Sequence, residues 1–388
     1  MKTMFTLLFG LTVGAAGAHA QQLADSGSFF VRLGHDTIAI ERYTRTKQQL
    51  ASEAVLRTPV TRHLKLSVTF KDDGSVSWWE VLNNPVAGSG DKTPVSRVLA
   101  TVIGDSVQIE LWSGAQQRPT RKLPIVPGML PLQMPFYSTY ETALQRARQS
   151  PADTTLSMVA GNAPLTYTIR FPRSDSITLY HPQGGLNVAR LDRGGRMLRF
   201  NGEASTFKVV VTRSKPVQLQ PWLTRFAEAD AKGRSIGLLS PLAKVENQIG
   251  ASVISVDYGR PSKRGRVIFG GIVPWNEVWR TGANAATHIT IANKDIMIGE
   301  TRVPVGKYTL WTVPSRSGWK LIINKQTGQW GTQYDSAQDL ARIAVKAENI
   351  PVPEEVFTIA LLPKGDKTGA LTLTWDRTRI VVPLREAP

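Results

Sequence analysis

The sequence predicts a mainly β protein in two parts: an N-terminal antiparallel β meander, forming a curved sheet or half barrel, and a C-terminal β sandwich or jelly-roll-like domain, with few short helices. Short runs of alternating apolar and polar residues recur along most of the chain, separated by Gly, Asp, Asn and Pro turns. Only two longer stretches carry helical spacing. No cysteine occurs among the 388 residues, so each domain must be closed by an ordinary hydrophobic core rather than by disulfides. A chain of 388 residues also exceeds the size at which a single core keeps growing, which sets the expectation of two domains.

Residues 1–20 have the layout of a secretory signal peptide: Lys2 near the start, an apolar run from Met4 to Ala18, and the small-x-small triplet Ala18-His19-Ala20. The run is shorter than the roughly 20 apolar residues needed to span a bilayer, and Gly10, Gly14 and Gly17 interrupt it. Cleavage after Ala20 is expected, leaving a periplasmic or secreted protein with no transmembrane segment. The absence of cysteine excludes a thioether-linked lipid anchor.

In the first domain, assigned to residues 22–215, the segments 29–40, 63–70 and 78–82 read as strands, and Asp73-Gly74 between the last two is a hairpin signal. Similar runs follow at 96–103, 106–112, 165–171, 176–180, 185–191 and 205–212. Residues 137–149 place Tyr140, Leu144 and Ala147 at helical intervals, with Thr142 and Gln145 outside, and stop before Pro151. A second helix is expected over 217–232, with Trp222, Phe226 and Ala229 on one side and Gly233 as its stop. It belongs to a connector assigned to 216–249, whose last part has little periodicity. The second domain, 250–388, opens with a strand at 251–258. Further strands are expected at 287–292, 308–313, 319–324, 343–347, 356–362, 370–376 and 379–384. A helical turn over 336–342 would use the Ser336 hydroxyl as its cap, with Asp339 on the favourable side of its dipole.

The distinctive residues concentrate in this second domain. It contains Tyr258-Gly259-Arg260-Pro261, Gly265-Arg266-Val267-Ile268-Phe269-Gly270-Gly271 and Val278-Trp279-Arg280-Thr281-Gly282-Ala283-Asn284-Ala285-Ala286-Thr287. Gly306-Lys307-Tyr308-Thr309-Leu310-Trp311-Thr312-Val313-Pro314, the Asn324-Lys325 to Trp330-Gly331 stretch and Thr378-Arg379-Ile380-Val381-Val382-Pro383 follow. This succession closely resembles, in order and almost continuously over 250–385, the bacterial family of domain of unknown function 2911. The resemblance implies an exported, mostly β domain of bacterial envelope proteins and brings no activity with it. Residues before 250 lie outside it.

Read chemically, Arg260, Arg264 and Arg266 leave a glycine-rich loop and Arg280 follows Trp279. Converging guanidinium forks make a bidentate site for carboxylate, phosphate or sulfate. The small residues between Arg280 and Asn284 let a ligand approach the backbone. The ligand-binding candidates are therefore Tyr258, Arg260, Arg266, Arg280, Asn284 and Thr287. Trp330 and Tyr334 join them from a Gly- and Gln-rich loop, where aromatic faces stack on sugars or peptides. A competing reading pairs the arginines with Asp257, Glu277 or Asp335, uses the Thr and Asn side chains to hold turns, and buries Trp330.

Enzyme signatures are missing. His35, His63, His181 and His288 have no metal-binding spacing, and no H-E-x-x-H, G-x-S-x-G, phosphate-loop or dinucleotide motif is present. No metal or cofactor is expected. The carboxylate pairs Asp72-Asp73 and Glu354-Glu355 are adjacent and point apart on an extended chain. The formal net charge of +17 is spread along the chain, without the basic tail or aromatic-basic platform of a nucleic-acid binder. The favoured expectation is an exported envelope protein whose C-terminal β domain binds an anionic or carbohydrate ligand through its arginine-rich loop. Two other readings stay open: a metal-independent hydrolase, with His288 beside Thr287 as the hint, and a structural envelope protein whose meander holds lipid or a partner.

Overall fold

The computed structural model describes residues 25–86, 94–126, 128–150, 155–160 and 163–388. The expected signal peptide lies outside the described residues. Two β units follow one another, each around its own core.

The N-terminal unit is the expected curved meander, a 16-stranded sheet. Strand Asp25–Leu33 lies in the middle, antiparallel to Val210–Ser214 on one side and to Asp36–Arg45 on the other. One flank continues outward through Gln49–Leu56, Arg62–Phe70, Val76–Asn84, Ser96–Ile103 and Ser106–Ser113. The other returns from Ala163–Arg173 through Ser176–His181, Gly185–Leu191 and Met197–Asn201. The two ends of the path, Leu130–Leu132 and Gln116–Gln117, do not pair with each other, so the sheet stays open. The segment 29–40, expected as one strand, is a hairpin turned at Gly34-His35.

Helix α1 (Tyr137–Gln149) fills the inside of this sheet, as its apolar spacing requires. Tyr137, Tyr140, Ala143, Leu144 and Ala147 are buried among strand residues such as Phe29, Tyr43, Tyr167 and Phe200. Thr142, expected on the outer side, is buried too, and its hydroxyl accepts from the Arg45 guanidinium at 3.0 Å. The helix starts after Phe136, which offers no side-chain cap. The carboxylate of Glu41, from the neighbouring strand, does this work. It accepts the N–H groups of Tyr137 at 2.5 Å and Ser138 at 3.2 Å, and the Ser52 hydroxyl at 2.6 Å. A second carboxylate, Glu141 on α1, accepts from Met197 N–H at 2.6 Å, from Arg213 at 2.5 Å and from the Tyr43 hydroxyl. Both carboxylates are fully buried. Glu141 faces two arginines, Arg45 and Arg213, whereas Glu41 has only dipolar partners.

Helix α2 (Gln220–Ala231) packs Leu223 and Phe226 on Ile40 and Val55, so it belongs to the first unit. The connector is shorter than 216–249. Leu242–Ile249 is an edge strand antiparallel to Ser252–Gly259. Its outward residues Leu242, Lys244, Glu246 and Gln248 are exposed, and of the inward-facing Ala243, Val245, Asn247 and Ile249 only Ile249 is fully buried. Such a weak apolar stripe hides the strand in the sequence.

The C-terminal unit places a six-stranded and a four-stranded antiparallel sheet around one core. The expected strands 370–376 and 379–384 form one strand, Thr368–Glu386, paired with the equally long Ala347–Gly365. The expected helical turn over 336–342 is also corrected. Only Ser336–Gln338 is helical, capped by the Asp335 carboxylate on Ala337 N–H at 2.9 Å, because Asp339–Val345 pairs with Trp319–Asn324.

Burial raises the Glu41 pKa from 4.5 to about 7, since no cation offsets the lost hydration. The folded state therefore holds this proton more tightly than the unfolded chain. The stabilising contribution of protonated Glu41 is complete below pH 4.5 and is lost as pH rises through about 7. Urea titrations between pH 5 and 8 should show Glu41→Gln removing a loss on the order of 3 kcal/mol, set by the pKa difference.

Candidate functional site at the seam between the two units

Four polar contacts among the described residues link the units. The backbone N–H of His35 donates to the Arg264 carbonyl at 3.1 Å, and the Arg264 guanidinium pairs with Asp36 at 2.5 Å. Thr332 donates to the Gln183 carbonyl and Lys208 Nζ to the Ile272 carbonyl, both at 3.0 Å. Two adjoining clefts open along this seam. The smaller, about 180 Å³, is lined by Lys208, Arg266, Trp279, Arg280 and Asn284. The larger, about 280 Å³, lies beyond Lys208 and Arg280 and is lined by Thr206, Glu277, Trp311 and Tyr334.

Arg280 is positioned by its neighbours on both sides. Trp279 exchanges two backbone hydrogen bonds with Thr312, at 2.7 and 2.9 Å. Thr281 sits at φ +53°, a conformation rare for a β-branched residue. Hydrogen bonds to Trp279 O at 3.3 Å, Thr312 Oγ1 at 3.1 Å and from Thr287 Oγ1 at 2.8 Å hold it there. Gly331 lies against the arginine stem, and a Cβ at that position would fall 2.4 Å from Arg280 Cδ. Lys208 at φ +56° and Asn284 at φ +65° add to a concentration of left-handed non-glycine residues around the seam. Backbone strain of this kind collects at functional sites when the surrounding structure enforces it.

The electrostatics are one-sided. Burial pulls the Arg280 pKa down to about 10, and its Nη1 is buried without a hydrogen-bond partner. Arg266 is lowered to about 10 by burial and then by the charge of Arg264; its Nε and Nη2 donate to the carbonyls of Lys263 and Ser262. Lys208 is lowered to about 8, first by burial and then by the like charges of Arg280 and Arg266. Among the described residues neither Arg266, Arg280 nor Lys208 forms an ion pair at hydrogen-bonding range. Unpaired buried cations are costly, and a bound anion is the natural compensation.

Of the candidates read from the sequence, Arg266, Arg280 and Asn284 meet at the smaller cleft and Tyr334 lines the larger. The others go elsewhere. Tyr258 is buried, with its hydroxyl on the backbone of Ile359 and its ring edge-on to Phe357. Thr287 is fully buried and holds the Thr281 turn. Arg260 turns to the Phe357 carbonyl and the Thr358 hydroxyl on the long hairpin. Trp330 is 42% exposed, against the buried alternative, and lines neither cleft. The arginines do not pair with Asp257, Glu277 or Asp335; Arg264 pairs with Asp36, an acid from the other unit. His288 accepts the Gly328 N–H at 2.9 Å through Nε2, which gives it a turn-holding role. No metal-binding cluster occurs among the described residues. Sequence reasoning missed Lys208, whose only local signal is a lysine beside an exposed phenylalanine, Phe207, at the mouth of the cleft.

Residues 240–384 match the family model described as protein of unknown function (DUF2911). The match includes the edge strand Leu242–Ile249, earlier than residue 250, and agrees with its place in the second unit. Arg266, Arg280, Asn284, Trp311 and Tyr334 all lie inside the DUF2911 region, whereas Lys208 and Thr206 come from the unit before it. No curated protein matches the chain.

Arg280→Met should leave the ligand-free protein as stable or raise its unfolding free energy by about 1 kcal/mol, because an uncompensated buried charge gives way to an apolar chain of similar reach. Gly331→Ala should do the opposite and lower it by about 1–3 kcal/mol through overpacking against the Arg280 stem. Thermal unfolding in a buffer free of multivalent anions checks both.

Proposed function

We propose that this is an exported protein of the bacterial envelope and that the seam between its two β units binds an anionic ligand through Arg280, Lys208 and Arg266. The observation that carries the reading is Arg280. Its guanidinium is largely buried, has no ion pair among the described residues and leaves Nη1 without a partner. Buried polar groups in native proteins almost always find partners, and a carboxylate or phosphate supplies both the charge and the fork geometry that a guanidinium matches. Lys208 approaches from the other unit, so a bound anion would neutralise cations from both sides and tighten the seam. The left-handed backbone at Lys208, Thr281 and Asn284 fits a site held in place before ligand arrives.

Titration calorimetry and thermal-shift measurements with phosphate, sulfate, acetate and citrate test this. A ligand at one hundred times its Kd should add about 2.7 kcal/mol to stability, and Arg280→Met should abolish the gain while remaining folded. Lys208 carries its charge only below about pH 8. Anion affinity should therefore fall as pH rises through 8, and Lys208→Arg should flatten that fall. The absence of any Arg280-dependent anion binding between pH 6 and 9 would reject the reading.

A further inference from the structure

We infer that the ligand is a monosaccharide carrying a single carboxylate or phosphate, with its charge on Arg280 and Lys208 and its ring in the larger of the two clefts. This rests on the anion-binding reading and gives that anion a body. The two clefts share Thr206, Lys208, Ile272, Trp279 and Arg280 as a common wall. A group bound to the cations from either side therefore has a continuation on the other.

The larger cleft differs in chemistry from the smaller. Its floor is Trp311, 1% exposed, whose indole Nε1 is buried and has no hydrogen-bond partner. The Tyr334 ring packs on that indole with centroids 5.1 Å apart. Trp279 supplies a second indole at the shared wall, and the exposed Glu277 carboxylate lines the opening. Aromatic faces, an unmet N–H donor and an accessible carboxylate acceptor match a ring with apolar C–H faces and hydroxyls that both accept and donate. An apolar body would leave Trp311 Nε1 unmet. A second anionic group would meet Glu277 at close range, which disfavours polyanions. The volume of about 280 Å³ falls just below the roughly 300–1,000 Å³ of pockets for drug-sized ligands, a scale that suits one ring.

Titration calorimetry on the full chain compares acetate, inorganic phosphate, glucose, D-glucuronate and glucose 6-phosphate. We expect glucuronate to bind at least tenfold tighter than acetate, or glucose 6-phosphate at least tenfold tighter than phosphate, with glucose alone giving no measurable heat. Trp311→Phe, which removes only the N–H and part of the ring, should cut that gain below threefold while leaving acetate and phosphate affinities unchanged. Glu277→Ala, an exposed position where folding is insensitive, should also cut the gain without weakening simple anions. A disaccharide ending in glucuronate separates the sources: equal affinity marks a polymer end, and a tenfold loss marks the free sugar. The inference is overturned if the sugar acids bind no tighter than acetate and phosphate while Arg280-dependent anion binding persists. It is equally overturned if neither variant reduces the gain. Loss of all Arg280-dependent binding would instead remove the anion reading itself.

Discussion

The docking of two separately cored β units turns on a single close approach, the Gly34-His35 turn of the first against Arg264 of the second. Gly34 adopts φ +61°, and a Cβ there would lie 2.0 Å from the Arg264 carbonyl oxygen, so only glycine allows the contact. Arg264 is itself left-handed at φ +51°, which turns its carbonyl toward His35 N–H while its guanidinium reaches Asp36. Backbone and side chain of one residue thus bind adjacent residues of the other unit. With that orientation set, Lys208 meets Ile272, Thr332 meets Gln183, and the clefts between them acquire their walls.

The seam sets cationic side chains among apolar ones such as Leu33, Ile272 and Trp279. Three cations line it without ion pairs among the described residues, and the local pKa values move in the direction that burial and like charge dictate. Such an arrangement lowers stability unless something negative occupies it. The contrast with the first unit is instructive. There the buried carboxylates Glu41 and Glu141 are surrounded by donors: backbone N–H groups at the start of α1, the Ser52 and Tyr43 hydroxyls, and two arginines. One polar cluster is nearly saturated from within the chain, and the other leaves a guanidinium N–H unanswered.

The saturated cluster explains how a large open sheet without disulfides keeps its curvature. Helix α1 fills the space the strands enclose, and its start is tied to Asp36–Arg45 through Glu41 while Glu141 ties it to Met197 and Arg213 on the opposite flank. The same flank carries on to Thr206 and Lys208, so the geometry of the cleft depends on the packing of a helix far from it in sequence.

The amino-acid sequence by itself determined the elements with strong local signals. Alternation gave the strands, the Asp73-Gly74 turn gave its hairpin, the spacing of Tyr140, Leu144 and Ala147 gave α1, and the 250–385 motifs marked the second unit. It also singled out Arg266, Arg280 and Asn284, because glycine-rich loops with arginines have few chemical uses. Leu242–Ile249 escaped detection since an edge strand with a polar outer face carries little apolar contrast. Only the tertiary structure decided that Tyr258 and Thr287 are core, that Arg260 and Arg264 are structural and that Lys208 completes the cation cluster. The physical reason is that burial and charge compensation are set by neighbours distant in the chain, and a side chain's partners there cannot be read from its own surroundings in the sequence.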